Sequence, residues 1–201
     1  MKHKHARTSV PVHPLIARRW SSRAFDPSRP VSRPQLMALF EAARWAPSCF
    51  GDQPWQMLAT DCFETPDAWK KAVECTDEWN RYWVTQAPLI LIVTANTLFT
   101  LEDEGENRWA EYDTGAAVEN LVLQATDMGL MSRQIGGFDP HKTRTSFKIP
   151  PQYNILSFIA LGYPGSADHL TDKHEADEKA SRERNDLEQH FFLGQWDQGI
   201  K

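Results

Sequence analysis

Arg18-Arg19-Trp20-Ser21-Ser22-Arg23 packs three arginines and two serines into six residues of a 201-residue chain whose formal net charge is -5. Guanidinium forks donate paired hydrogen bonds to phosphate oxygens, and serine hydroxyls add short donors without bulk. A basic knot in an acidic chain fits an anion site for a phosphorylated small molecule; a solvated helix end is the plain alternative. Pro47-Ser48-Cys49-Phe50-Gly51-Asp52-Gln53-Pro54-Trp55 is a loop of small and polar residues. Its backbone groups suit the edge of a flat heterocycle, with Gln53 either a further polar contact or a brace. In Ile135-Gly136-Gly137-Phe138 the paired glycines let a ligand approach the main chain closely, or simply make a tight turn. Arg182-Glu183-Arg184 is a late charge run, a pattern that ordinarily marks a solvated face.

Other chemistries find no support. No Gly-x-Gly-x-x-Gly follows a strand-like run, and no Gly-x-Ser-x-Gly, His-Glu-x-x-His or phosphate-loop Gly-Lys-Ser/Thr occurs. Cys49, Cys62 and Cys75 are odd in number and form no Cys-x-x-Cys pair, so neither a disulfide framework nor a zinc site is signalled. His3, His5 and His13 fall in a terminal segment and read as unstructured rather than as ligands. The mixed charges offer no basic stripe for nucleic acid. The longest apolar run, 88–93, is too short to span a bilayer, and the charged first residues lack a secretory apolar segment. A cytoplasmic protein is the expectation, with no membrane or nucleic-acid partner.

These residues need elements to hold them. At 41% apolar content the chain can bury a real core. The expected layout is a flexible N-terminus over 1–14 and a single domain over 15–201. Ser32, Pro34 and Gln35 mark a helix start, with apolar spacing to about Trp45 before Pro47. Strands are expected over 55–60, 89–94, 131–135 and 154–161, the second buried on both faces. Helices are expected over 65–75, 109–128 and after the Asp139-Pro140 cap, with Gly129 stopping the long one. The polar stretch 167–184 reads as a linker or extended arm in need of a partner surface. The sum is an α+β domain. Most of the eight tryptophans belong in a core or interface, though one or two could stack on an aromatic ligand.

Taken in order, these features resemble the FMN-dependent nitroreductase family from about Leu15 to Phe192. Arg19-Trp20-Ser21-Ser22-Arg23-Ala24-Phe25 is similar to its opening Arg-x-Ser-x-Arg/Lys-x-Phe element. Pro47 to Trp55 is similar to its Pro-Ser-x-x-Asn-x-Gln-Pro-Trp loop, and Asp113-Thr114-Gly115-Ala116-Ala117-Val118-Glu119-Asn120-Leu121 to its long helix. Gly129-Leu130, Ile135-Gly136-Gly137-Phe138 and Leu161-Gly162-Tyr163-Pro164 follow in family order. The resemblance implies a mixed central sheet flanked by helices, with the C-terminal arm exchanged in a homodimer that holds FMN at its interface.

It further implies that Arg19, Ser21 and Arg23, joined near the phosphate by Arg182 and Arg184, hold the phosphate and ribityl chain. Pro47, Ser48 and Cys49 would face the ring system, from the partner subunit, with Trp20, Gly51 and Gln53 also among the cofactor-binding positions. Asn80 would meet its pyrimidine edge, and the Gly136 N–H, with Gly137 beside it, would point at N5. The implied activity is ping-pong hydride transfer from NAD(P)H through flavin N5 to nitroaromatic, quinone or similar conjugated acceptors. A non-catalytic flavin-binding or storage module, and a related enzyme of different outcome such as reductive dehalogenation, are the alternatives. Trp20, Gly51, Glu119 and Trp83 depart from the residues usual in relatives. The acceptor pocket is expected within 99–112 and at Phe138.

Overall fold

The computed structural model describes residues 4–100 and 105–200; His3, and residues 101–104 of the expected acceptor pocket, lie outside them. Its elements in chain order are α1 (Pro14–Arg18), α2 (Arg33–Arg44), a 3-10 turn (Cys49–Gly51), β1 (Trp55–Asp61), α3 (Pro66–Cys75), α4 (Glu78–Val84) and β2 (Leu89–Asn96). Then come α5 (Ala110–Asp127), β3 (Met131–Ile135), α6 (Pro140–Phe147), β4 (Tyr153–Gly162), α7 (Asp172–Lys179) and a second 3-10 turn (Leu187–Gln189). All four expected strands form, within a residue or two of their expected bounds.

The strands make one sheet in the order β1-β2-β4-β3, every neighbouring pair antiparallel. Parallel pairing among the described residues is confined to the bridge of Ser21 with Ser132, so the expected mixed character of the sheet is reduced to that contact. β2 lies inside the sheet and shows why its run from Leu89 to Val93 is apolar throughout. Leu89, Leu91 and Val93 enter one core with α2 and α5, while Ile90 and Ile92 enter a second with α3 and α4. Period-two alternation between two covered faces leaves no polar face to the strand.

The helices begin and end where local chemistry dictates. Gln35 Oε1 accepts the Ser32 backbone N–H at 3.0 Å ahead of α2, and Asp139 accepts from Lys142 N at 2.8 Å ahead of α6. Gly129, at φ +73°, follows α5 in the left-handed conformation that ends many helices. Asn120 Nδ2 donates to the Ala42 carbonyl at 3.2 Å and fastens α5 to α2.

Three short helices fall outside the sequence expectations. Pro14 opens α1 after a cap in which His13 Nδ1 accepts from Leu15 N. Asp77 caps α4 by accepting from Asn80 N at 2.7 Å. The third, α7, corrects the reading of 167–184 as a linker or extended arm. Thr171 caps it, accepting from His174 N, and acidic residues stand in its first turn with Lys179 in its last. It shows no apolar period because His174 is its one buried residue.

Candidate functional site

Ser21 is held at the edge of β3 by its bridge to Ser132 and by Arg133 Nη1, which donates to the Ser21 carbonyl at 2.6 Å. That edge brings the N-terminal and C-terminal basic runs together. A cavity of about 380 Å³ is lined by Arg19, Trp20, Ser21, Arg23, Arg133, Arg182 and Arg184, with Lys4, Asp177 and Glu178 among its other walls. Six expected site residues therefore meet in one place. Arg182 and Arg184 arrive from far along the chain, Arg182 Nη1 donating to the carbonyls of Lys4 and Ala17, each at 2.9 Å.

The electrostatics are those of crowded cations. Burial, aided by Arg23, pushes the Arg133 pKa down to about 10. Burial and then Arg19 and Arg184 lower that of Arg182, and Lys4 is lowered chiefly by burial. Every one of these groups remains charged at neutral pH, so the cavity is a pool of positive potential. Arg23 is only 8% exposed and its buried Nε has no hydrogen-bond partner. A dianionic phosphate suits this donor set.

Not all of the donors are idle. Arg23 Nη1 pairs with Asp177 Oδ2 at 3.2 Å, Arg23 N donates to Glu178 Oε2 at 3.0 Å, and the Ser22 hydroxyl donates to Glu178 Oε1. Trp20 packs beneath Lys4, whose Nζ lies 4.6 Å from the indole centroid.

β3 leads away from this cavity to the glycine pair. From Ser132 to Gly136 the strand covers four residues, about 14 Å at the usual rise. A Cβ built on Gly136 meets nothing within 4 Å, so the space beside it is open. Gly137 is the opposite case. A Cβ there would fall 2.0 Å from Asp77 Oδ2 and 2.5 Å from Asn80 Nδ2. Its carbonyl accepts from Asp77 N at 3.0 Å and from Asn80 Nδ2 at 3.4 Å. Asn80 is thus placed at the glycine pair by the same turn that starts α4. Phe138, expected in the acceptor pocket, stacks on Phe158 at 4.9 Å and packs against the second core.

The loop 47–53 stands elsewhere. It feeds β1, which is the opposite edge strand from β3, three strand spacings or about 14 Å across the sheet. Cys49 N donates to Asp113 Oδ2 at 2.8 Å, and Gln53 N to Ser48 Oγ at 3.1 Å. Gln53 has φ +53° and Gly51 φ +71°, with Phe50 between Cys49 and Gly51 at φ +54°. Asp52 braces the loop from the other side, accepting from Thr100 N and from Asn107 Nδ2. Pro47, Ser48, Cys49, Gly51 and Gln53 line none of the arginine cavity.

Arg133, Lys4, Asp177 and Glu178 were not anticipated. Arg133 left a readable mark: it sits between Met131 and Ile135 on the face of β3 that faces the second core, where a lone cation calls for an explanation. Its guanidinium lies 5.6 Å from the Trp83 ring centroid, so a cation stands over the tryptophan.

An α+β protein thus carries, along one edge strand, an arginine cavity at one end and a glycine with open space beside it at the other. The chain belongs to the Nitroreductase family, whose model matches residues 16–163. It is similar over 98% of both chains, with 29% identity and a TM-score of 0.88, to the crystal structure of an oxidoreductase containing FMN. An NADH dehydrogenase of Thermus thermophilus is 27% identical over 165 residues, 67% of this chain and 78% of that protein. The uncharacterized 15.4 kDa protein in ask 5'region of Mycolicibacterium smegmatis is 36% identical over 97 residues, 47% of this chain and 64% of that protein. Among the described residues no helix is long and apolar enough to cross a membrane.

Proposed function

We propose that this chain is an FMN-dependent oxidoreductase that takes reducing equivalents from NAD(P)H and delivers them to nitroaromatic, quinone or similar conjugated acceptors in alternating half-reactions. The observation that carries this reading is the single edge of β3. It joins a cavity of Arg19, Arg23, Arg133, Arg182 and Arg184 to a glycine whose surroundings are open.

When bound, FMN would supply the hydride chemistry. The polypeptide's part is to hold and tune. Arg19, Ser21, Arg23, Arg182 and Arg184, with Arg133 added, would anchor the phosphate through charge-assisted bonds, and Trp20 would wall the cavity. The backbone N–H of Gly136 would serve as the donor at the reactive edge of the ring, with Gly137 and Asn80 fixing the turn that presents it. The free space at Gly136 would leave one face for donor and acceptor in turn.

Pro47, Ser48, Cys49, Gly51 and Gln53 would complete the site from a second copy, since their own sheet edge faces away from β3. A homodimer is further supported by the apolar side chains that a single chain leaves in solvent. Phe191, Leu193 and Trp196 of the C-terminal arm are all strongly exposed, and so are Trp45, Phe50 and Tyr112.

The test is direct. Purified protein should be yellow or take up FMN stoichiometrically, and should oxidise NADH or NADPH with menadione or nitrofurazone as acceptor. A colourless protein that cannot be reconstituted would remove the cofactor assignment. A yellow protein without turnover would leave only a flavin-binding module.

A further inference from the structure

α7 packs on α4 at one end and reaches the arginine cavity at the other. Its first half lies on α4, the helix that carries Asn80. The His174 imidazole meets the Trp79 ring edge-on at 4.2 Å and the Tyr82 ring at 6.1 Å, and Lys173 Nζ sits 4.7 Å from the Trp79 centroid. Its second half reaches into the arginine cavity, where Asp177 holds Arg23 Nη1 and Glu178 holds both the Arg23 backbone N–H and the Ser22 hydroxyl. Lys4 Nζ fastens that end by donating to the Asp177 carbonyl at 2.8 Å. Eight residues at 1.5 Å per residue are about 12 Å of helix, comparable to the stretch of β3 between the cavity and Gly136.

The carboxylates of α7 therefore occupy donors that a phosphate would use. Two carboxylates and a phosphate dianion repel one another, and sharing one set of donors would place them within a few ångströms. The seat is also a weak one. His174 is 1% exposed, yet neither ring nitrogen has a hydrogen-bond partner, and a buried polar group left unpaired works against the packed state. The Asp177 side chain is half exposed, so solvent already competes for it.

From these contacts we propose that Asp177 and Glu178 are internal competitors for the anion site. A dianionic phosphate monoester enters only by unseating α7, which makes the phosphate group the feature that selects the ligand. This rests on the cofactor reading for the identity of the monoester, though the competition itself needs only an anion. Released from Asp177 and Glu178, Arg23 and Ser22 turn to the phosphate, and the bare faces of Trp79 and Tyr82 become available along α4.

Hydrogen exchange on the full-length protein tests the competition without any substitution. Amides of 174–179 should exchange at least tenfold faster when inorganic phosphate is added at millimolar concentration, and again with FMN. Unchanged or slower exchange with phosphate, or with FMN that binds, would overturn the proposal. The second measurement is FMN affinity of the Asp177→Asn, Glu178→Gln double variant, which should be at least tenfold tighter than wild type in protein whose circular dichroism is unchanged. Equal or weaker affinity would mean that α7 positions Arg23 for the ligand and does not compete with it, overturning the proposal. Should the variant fail to fold, the exchange experiment still decides. Wild-type protein that binds no FMN but loosens α7 with phosphate sinks the cofactor reading and keeps the competition. Protein that binds FMN with α7 exchange unmoved does the reverse.

Discussion

Arg23 donates to Asp177 at 3.2 Å across 154 residues of sequence, and the two partners are unequally buried, 10% and 50% exposed in their side chains. The cation has given up most of its water while the anion keeps half of its own. Removing Asp177 would leave a desolvated guanidinium with its Nε already unpartnered, and such a group is satisfied best by another anion. The pair thus ties the opening basic knot to the last α-helix and reports how strongly this pocket seeks negative charge.

Arg19→Ala and Arg23→Ala should each weaken FMN binding by about 1.5–3 kcal/mol, the usual worth of a charged hydrogen bond. Arg184→Ala should cost less, because Arg184 Nη1 bonds the neighbouring Glu183 carbonyl at 2.7 Å on the exposed side. Quenching of flavin fluorescence on titration measures all three. Unaltered affinity in both Arg19→Ala and Arg23→Ala would remove the phosphate role.

The glycine pair separates stability from cofactor approach. Gly137→Ala drives a methyl into Asp77 and Asn80, and overpacking of this kind costs about 1–3 kcal/mol. Melting should drop by roughly 2–4 °C for each kcal/mol in a chain of this size. Gly136→Ala points its methyl into open space, so melting should hold while flavin uptake or turnover falls. A Gly136→Ala protein with normal flavin spectrum and turnover would show that nothing approaches this backbone.

Much of this arrangement could be read in the sequence, and for identifiable reasons. β2 announced itself because a strand covered on both faces has no room for polar residues. α2, α5 and α6 carried explicit start or stop chemistry in Ser32 and Gln35, Gly129, and Asp139-Pro140. The arginine-serine knot was visible because clustered forks of one sign are rare in an acidic chain. α4 and α7 were hidden, since seven and eight residues give barely two turns and the burial is concentrated in Trp83, Val84 and His174. Helix formation there depends on tertiary contact more than on local pattern. Asp177 and Glu178 looked like ordinary solvated acids for the same reason. Their role depends on Arg23 and Ser22, and no spacing rule connects residues so distant.

Exposed apolar residues at the C-terminal arm predict the assembly. Phe191→Ser with Trp196→Ser should convert a dimer into a monomer, since Trp196 is 82% exposed and Phe191 58% in one chain. Light scattering after size exclusion reads the mass. The same variant should lose FMN, because the loop 47–53 of the second copy would supply contacts to the ring. Wild-type protein that runs as a monomer would contradict both expectations.

Asp113 fixes that loop through Cys49 N. Asp113→Ala leaves the amide without its charged acceptor, a loss of about 1.5–3 kcal/mol in local order. Phe50, 71% exposed at the loop tip, gives chymotrypsin a site to report it. Cleavage after Phe50 should accelerate at least tenfold in the variant, while the sheet and the other helices keep their protection. Equal cleavage rates would mean that the positive-φ residues Phe50, Gly51 and Gln53 are held without the Asp113 contact.

The seat of α7 should depend on pH through His174. Burial lowers its pKa first, and Arg23 adds to this, with Arg133 and Lys173 contributing less; Asp177 acts in the opposite sense. From α4, Asp77, Glu78, Trp79 and Tyr82 line the same hollow. A seated imidazole that resists protonation takes up its proton only on release. The seat is therefore complete above the free imidazole value of about 6.5 and weakens as pH falls from there toward the lowered seated value. One proton taken up shifts the opening equilibrium by up to about tenfold per pH unit. Hydrogen exchange at 174–179, corrected for its intrinsic pH dependence, should report more opening at pH 5.5 than at 7.5. His174→Phe, which fills the same space beside Trp79 without a titrating group, should abolish the difference. A response to pH that persists in His174→Phe would assign it to another group.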